Sequence, residues 1–267
     1  LIPYIHLGPI TIGTFGLFMW LAFVAAFFVW RADLQRRAIN ADVHTMVAII
    51  AIAGVVGAKL YHVLESAKEL MRDPVGELFS RTGFAWFGGF LGGVIAMMLL
   101  ARRYRVPILR LMDSAAPAAA LGYAVGRIGC LTSGDGDYGT PTHLPWGMSF
   151  PPPALDPSGQ HCIALGWPEN CRMHPTPIYE LLVGIVITWL LWRIATTRPM
   201  GYVVGWFFVL SGAARFAVEF IRLNPRIYWG MSNAQVASLV SIVIGIALLF
   251  YATRSGSLHP PARSSAS

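Results

Sequence analysis

Charge is what this sequence has least of. Asp, Glu, Lys and Arg make up 12% of its 267 residues, against 55% hydrophobic. Soluble domains are about a quarter charged. A soluble fold of this length could not hide so much apolar surface, so a bilayer must cover the excess. Lysine is nearly missing as well: of 20 basic residues, 18 are Arg. Arginine offers phosphate a rigid fork of donors, although a GC-rich coding sequence produces the same bias, and both readings stay open. The first 30 residues carry neither Lys nor Arg, so the basic n-region of a cleavable signal peptide is missing. The chain opens on Leu1 rather than Met, and its numbering is expected to start inside the native beginning. Cysteine is scarce, and with no Cys/His ligand cluster neither a metal nor another cofactor is expected. There is no internal repeat.

What is present is a series of apolar runs. About 20 apolar residues span the hydrocarbon. Gly8 to Trp30, Thr82 to Ala101 and Ile227 to Thr253 are free of formal charge, the last opening as a loop before Ser232. Val43 to Val63 contains Lys59, Asp113 to Arg127 lies between two charges, His174 to Trp192 contains Glu180, and Gly201 to Ile221 contains Arg215 and Glu219. The expected fold is an all-α integral membrane protein of about seven transmembrane helices. The net charge of +7 sits in clusters between these runs, as the positive-inside rule arranges it, and is no nucleic-acid signal. One set of loops holds eleven Lys and Arg (Arg31, Arg36, Arg37, Arg102, Arg103, Arg105, Arg110, Arg193, Arg198, Arg254, Arg263) and the opposite set six (Lys68, Arg72, Arg81, Arg172, Arg222, Arg226). That asymmetry predicts the N-terminus outside and the C-terminus cytoplasmic, with a long external loop, about 129–173, between helices four and five. Residues 1–255 read as one transmembrane catalytic domain and 256–267 as a short disordered cytoplasmic tail. Cys162 and Cys171 share the external loop, where a disulfide is plausible if the compartment is oxidising.

Ionisable residues inside a membrane are costly, at least ~2.5–3.5 kcal/mol on insertion scales, and are usually functional. Here they gather in segments two, four, five and six, which predicts a polar cavity lined by those four. Arg215, Glu219 and Arg222 fall at i, i+4 and i+7, on one helical face. They read as a structural ladder or as an anion site, and two Arg against one Glu favour the anion site. Arg127 follows Gly122 and Gly126 and precedes Gly129; it is an anchor at the headgroups or a ligand contact. Asp113 reads as a cap or loop contact. Glu180, after His174 and Tyr179, is expected to orient an Arg. Lys59, beside Tyr61 and His62, is expected to find a carboxylate or carbonyl partner. Cys130 is an inert small hydrophobe or lines the site.

At Gly126 to Gly139 the sequence GRIGCLTSGDGDYG, followed by TPTHLPWGMSFP, resembles the signature of the prolipoprotein diacylglyceryl transferase family. That signature runs Gly-Arg-x-Gly-Asn-Phe, then Asn-x-Glu and Gly, with a Pro-Trp-Gly stretch downstream. Gly126, Arg127, Gly129 and Gly139 match, Asp135 stands for the Glu, and Pro145, Trp146 and Gly147 match the later stretch. In the family's order come DSAAP at Asp113 to Pro117, HPTPIYE at His174 to Glu180 and RFAVEFIR at Arg215 to Arg222. GAKLYHV at Gly57 to Val63 and the pair Ser232 and Gln235 are similar to further family segments. Departures accompany the matches. Phe87 stands where the family often has His, and Cys130 and Ser133 where it has Asn. Phe15 replaces a Tyr, Pro177 a Gln and Lys59 an Arg, and the signature is one residue longer.

The resemblance implies transfer of an sn-1,2-diacylglyceryl group from phosphatidylglycerol to the lipobox cysteine of a prolipoprotein signal peptide, with release of glycerol phosphate. It implies a bacterial inner-membrane protein whose site faces the periplasm, surrounded by membrane lipid. The catalytic set it implies is Arg127, Arg215, Glu219, Glu180 and His174. Substrate contacts are assigned to Arg127, Arg215, Arg222, Gly126, Gly129, Asp135, Gly139, Tyr179, Tyr61, Phe87, Cys130, Trp146 and Gln235. Arg127 and Arg215, from separate spans, are expected to meet in one hollow and fork the leaving phosphate. The base stays open among Glu219, Glu180, His174 and Asp135, or the cationic field alone lowers the thiol pKa. Two rival readings also stay open: the same phospholipid with another acceptor, and a non-catalytic lipid-binding or transport protein.

Overall fold

The computed structural model describes residues 1–65, 86–194 and 196–255. The start of the third apolar run, the loop residues Lys68, Arg72 and Arg81, the side chain of Phe87 and the tail 256–267 lie outside the described residues. The protein is mostly helical. In chain order come β1 (Tyr4–Leu7), β2 (Ile10–Gly13), α1 (Thr14–Arg36), α2 (Val43–Glu65), α3 (Trp86–Tyr104) and α4 (Ile108–Ser133). Then follow α5 (Gly159–Ala164), α6 (Thr176–Arg193), α7 (Tyr202–Val218), β3 (Arg226–Tyr228), β4 (Met231–Ser232) and α8 (Asn233–Ser255). Among the described residues, four stretches are long and apolar enough to cross a membrane: Thr14–Arg36, Val43–Leu64, Thr176–Arg193 and Asn233–Arg254. α7 is apolar but shorter. α4 carries Arg110, Asp113, Pro117 and Arg127, which lower its apolar content.

The mostly helical chain is consistent with the expected all-α membrane protein, and two short antiparallel hairpins accompany the helices. β1 pairs with β2, Leu7 opposite Ile10. The two-residue loop is Gly8-Pro9, with Gly8 at φ 61°. That is the left-handed first position of a hairpin turn, which glycine fills without strain. The apolar run from Gly8 therefore begins as a strand and turns helical only at Thr14, whose hydroxyl and amide both donate to the Pro3 carbonyl. β3 and β4 form the second hairpin, where a loop was expected.

The chain divides into two compact units, Leu1–Trp30 with Asp113–Ser267, and Arg31–Met112. In the second unit α2 and α3 pack backbone to backbone. A Cβ on Gly57 would stand 2.4 Å from the Gly88 carbonyl oxygen, and one on Gly92 2.2 Å from that of Ala53. Small residues permit this close approach, which is how helices associate where water supplies no driving force. In the first unit α7 and α8 meet along a similar seam: a Cβ on Gly245 would lie 2.7 Å from the Gly205 oxygen, and one on Gly212 2.9 Å from that of Ser238. Asp113 closes the start of α7, accepting the backbone N–H of Gly201 and of Val204, each at 2.8 Å. It satisfies two first-turn donors and places a carboxylate at the positive end of the helix.

The segment between α4 and α6 is a folded cap rather than a plain loop. Tyr138, Phe150, Ala154, Cys162, Cys171 and Met173 are its buried core, and Cys162 is disulfide-bonded to Cys171. Short bridges tie Gly139 to Arg222 and both Pro141 and Met148 to Met173. This stitching brings residues just past α4 alongside the ends of α6 and α7.

Candidate functional site

Four stretches of the first unit bring ionisable side chains together. α4 supplies Tyr123 and Arg127, one helical turn apart. The cap supplies Asp137, the second turn of α6 supplies Glu180, and the end of α7 with the turn beyond it supplies Arg215, Glu219 and Arg222. Glu180 is the hub. Arg215 Nη1 donates to its Oε1 at 2.8 Å, and Arg222 Nη1 donates to its Oε2 at 3.4 Å. Arg127 Nη1 lies 3.6 Å from Oε2, and the Tyr123 hydroxyl donates to Oε1. Arg127 and Arg215 thus converge on one carboxylate, from different helices. The Arg127 guanidinium also stacks over the Tyr123 ring, 4.5 Å from its centroid, a favourable use of its delocalised charge.

Asp137 bridges two of the arginines, one carboxylate oxygen bound to Arg127 and the other to Arg222. Burial works to raise its pKa, but the hydrogen bond and charge of Arg222, with the charge of Arg127, prevail and hold it below the usual range. Glu219 takes Arg215 Nη2 at 3.1 Å. It also accepts the Ser232 hydroxyl at 2.8 Å and the Asn224 amide at 2.6 Å. The expected surplus of positive charge is absent: Arg127, Arg215 and Arg222 face Asp137, Glu180 and Glu219. A balanced cluster is what burial requires, since an unpaired buried charge is strongly destabilising.

Other expected contacts stand elsewhere. Asp135 is not the carboxylate on the arginines; its Oδ1 is buried and has no hydrogen-bond partner among the described residues. Burial first, and then the negative charge of Asp137, push its pKa up. The arginines bind Asp137 instead. Gly129 and Gly139 are explained by packing: a Cβ would meet the Phe18 side chain at 3.2 Å and the Ile221 carbonyl oxygen at 2.6 Å, respectively. A Cβ on Gly126 would meet nothing within 4 Å. Gln235 and Ser232 form a reciprocal cap at the start of α8, with the Ser232 N–H donating to Gln235 Oε1 and the Gln235 N–H donating to Ser232 Oγ. This capping box buries Gln235 and, through Ser232, steadies Glu219. Cys130 is buried, its Sγ 3.7 Å from Arg127 Nη1. Its sulfur lies within 4.8 Å of carboxylate oxygens of Asp135 and Asp137, but the two guanidiniums on Asp137 repel a cation there. Tyr61 and Phe87 belong to the second unit.

His174, Tyr179 and Trp146 form a separate trio. Trp146 Nε1 donates to the Tyr179 hydroxyl at 2.8 Å, and that hydroxyl lies 3.1 Å from His174 Nδ1. With Leu144, Pro175, Ile178, Leu182 and Ile221 they wall an open groove of about 570 Å³. Partial burial pulls the His174 pKa down. Tyr123, Asp137 and Asn224 escaped the sequence reading. Tyr123 alone carried a signal, its position four residues before Arg127.

Residues 3–251 match the family model described as prolipoprotein diacylglyceryl transferase. The chain is 33% identical to the phosphatidylglycerol–prolipoprotein diacylglyceryl transferase of Nitrosomonas europaea, covering 94% of this chain and 89% of the relative. The protein of that name from Cupriavidus pinatubonensis is 33% identical over 96% of this chain and 94% of its own. The one from Clostridium tetani is 30% identical, over 87% and 90%.

Proposed function

We propose, since this chain belongs to the prolipoprotein diacylglyceryl transferase family, that it transfers the sn-1,2-diacylglyceryl group of phosphatidylglycerol to the lipobox cysteine of a prolipoprotein. The sulfur–carbon bond forms at the glycerol carbon as the carbon–oxygen bond to phosphate breaks. The thiol gives up its proton and glycerol phosphate leaves. On this reading the chain crosses the bacterial inner membrane seven times, N-terminus outside, with the site facing the periplasm. The asymmetry of Lys and Arg between its loops supports that orientation.

One observation carries the reading: three guanidiniums from separate elements gather around the buried carboxylate of Glu180. Phosphate gains charge as it leaves, and fixed bidentate donors stabilise that charge. The same cationic groups favour the thiolate, the nucleophilic form of the acceptor. The carboxylates hold the guanidiniums in place, so little reorganisation remains when charge develops. Purified protein in phosphatidylglycerol vesicles with a lipobox peptide tests this. Transfer is expected with that lipid and absent with phosphatidylcholine alone. Arg127→Ala and Arg215→Ala are each expected to lower turnover by about 10²–10³-fold, the scale for losing one such donor. Near-normal turnover in either variant would remove that arginine from the mechanism.

A further inference from the structure

The six charges of the cluster balance, so a lipid phosphate cannot simply be added. A fourth anion would face three carboxylates in a buried place. One carboxylate must give way, and the three differ in how firmly they are held. Glu219 has a side-chain exposure of 1% and is tied by Ser232 and Asn224 as well as by arginine. Glu180, at 5%, also holds the Tyr123 hydroxyl. Asp137 is 23% exposed, and its carboxylate is held by guanidiniums, one oxygen on Arg127 and one on Arg222. Its main chain is pinned, because Thr176 donates to its carbonyl and the Gly139 N–H donates to the His174 carbonyl at 2.8 Å. Rotation of one short side chain is therefore enough to release Arg127 Nη1 and Arg222 Nη2 from the Asp137 carboxylate, while Glu180 still faces both arginines.

We propose that the Asp137 carboxylate and the phosphodiester of the lipid donor compete for the same pair of guanidiniums, Arg127 and Arg222. Both anions present two oxygens on a single atom, the shape that a pair of Arg forks recognises. Exchanging one for the other keeps the cluster neutral. Asp137 is then a specificity-determining residue: it screens the arginines from weaker anions and yields to a ligand that supplies both oxygens together with an apolar anchor.

This rests on the donor reading above, and two measurements on the full-length protein separate the two. In steady-state transfer from phosphatidylglycerol vesicles, Asp137→Asn removes the competitor and is expected to lower KM by about tenfold, close to the lower end of the coupling measured for close charge pairs. Asp137→Glu keeps the charge and is expected to leave KM at or above the wild-type value. A merely structural tie predicts a falling kcat and a rising KM in the Asn variant. If that variant does not fold, the wild type still decides. Labelling by a carbodiimide and an amine, read by peptide mass spectrometry, is expected to rise at Asp137 in phosphatidylglycerol over phosphatidylcholine vesicles, while Glu180 and Glu219 stay protected. An unchanged or higher KM in the Asn variant, or labelling at Asp137 that is flat or falls, overturns the proposal. Wild-type turnover with phosphatidylglycerol would survive that outcome, whereas its absence would instead remove the donor reading.

Discussion

Asp33 and Glu180 are both buried carboxylates held by arginine, yet they are built differently. Asp33 finds its partners close by in sequence: Arg37 lies one turn on and Arg36 3.5 Å away, at i+4 and i+3. The Asp33 and Arg37 side chains have exposures of 0% and 1%. Arg110 completes this region by donating to the Arg37 carbonyl at 2.9 Å. Glu180 draws its partners from α4, α7 and the turn after α7. Two of those partners, Arg127 and Arg215, keep 20% and 27% side-chain exposure. A local, sealed pair adds cohesion at one place and offers nothing to a ligand. A cluster assembled from distant segments and left partly open holds its charges ready for exchange. Burial and ion pairing alone do not separate the two, but the sequence distance between partners and the residual exposure do.

The largest effects should break this contrast cleanly. Arg37→Ala leaves the buried Asp33 without its nearest partner. Breaking a buried pair in this way costs about 3–5 kcal/mol. The expected outcome is a lowered unfolding midpoint in detergent, with turnover per folded molecule unchanged. Arg127→Ala should do the reverse, losing transfer while the more exposed cluster rearranges around the gap. If Arg37→Ala abolished transfer without moving the unfolding midpoint, sealed and open clusters would not be distinct in role.

The helices were legible because hydrophobic length is a strong signal. The second strand of the hairpin at 4–13 was hidden at the start of an apolar run, although Gly8-Pro9 marked a turn. The cap was illegible as a fold: Tyr138, Phe150 and Met173 share a core but no period, and tertiary contact alone brings them together. In the site, Arg215, Glu219 and Arg222 were readable from helical spacing. Asp137 was not, since two candidate aspartates stand two residues apart and only the backbone path decides between them. Gly134 and Gly136, at φ 63° and 86°, bend that path through conformations that favour glycine. At Gln235 the structure adds a local role: Ser-x-x-Gln before an apolar run is a capping signature, and the reciprocal bonds with Ser232 form that cap.

A smaller effect is expected at Asp113, which caps α7 from α4. Asp113→Ala leaves two helix N–H groups without their acceptor and removes a charge from the positive end. The expected cost is about 1–2 kcal/mol, read as a shift in denaturant midpoint. α7 carries Arg215 in its last turn, far along the helix from the cap, so KM should stay near wild type. A large rise in KM would mean that the cluster feels the start of α7, and the division between holding and binding would blur.

The finest distinction concerns acid. The Asp137 pKa is lowered in the folded protein, because the attraction of Arg222 and Arg127 outweighs burial. An unfolded Asp titrates near ~3.9. The folded protein therefore binds fewer protons there than the unfolded chain, and stability rises with pH through that window. The contribution of Asp137 is fully present above the unfolded value and is lost as pH falls through the folded one. Asp137→Asn cannot titrate, so its stability profile below about pH 4 should be flatter than that of the wild type. Above that pH the two profiles should run parallel. Unfolding midpoints of both proteins across pH 3–6 check this. If the acid limbs were equally steep, the bond between Asp137 and its two arginines would contribute little in solution, and the open cluster would be looser than its geometry implies.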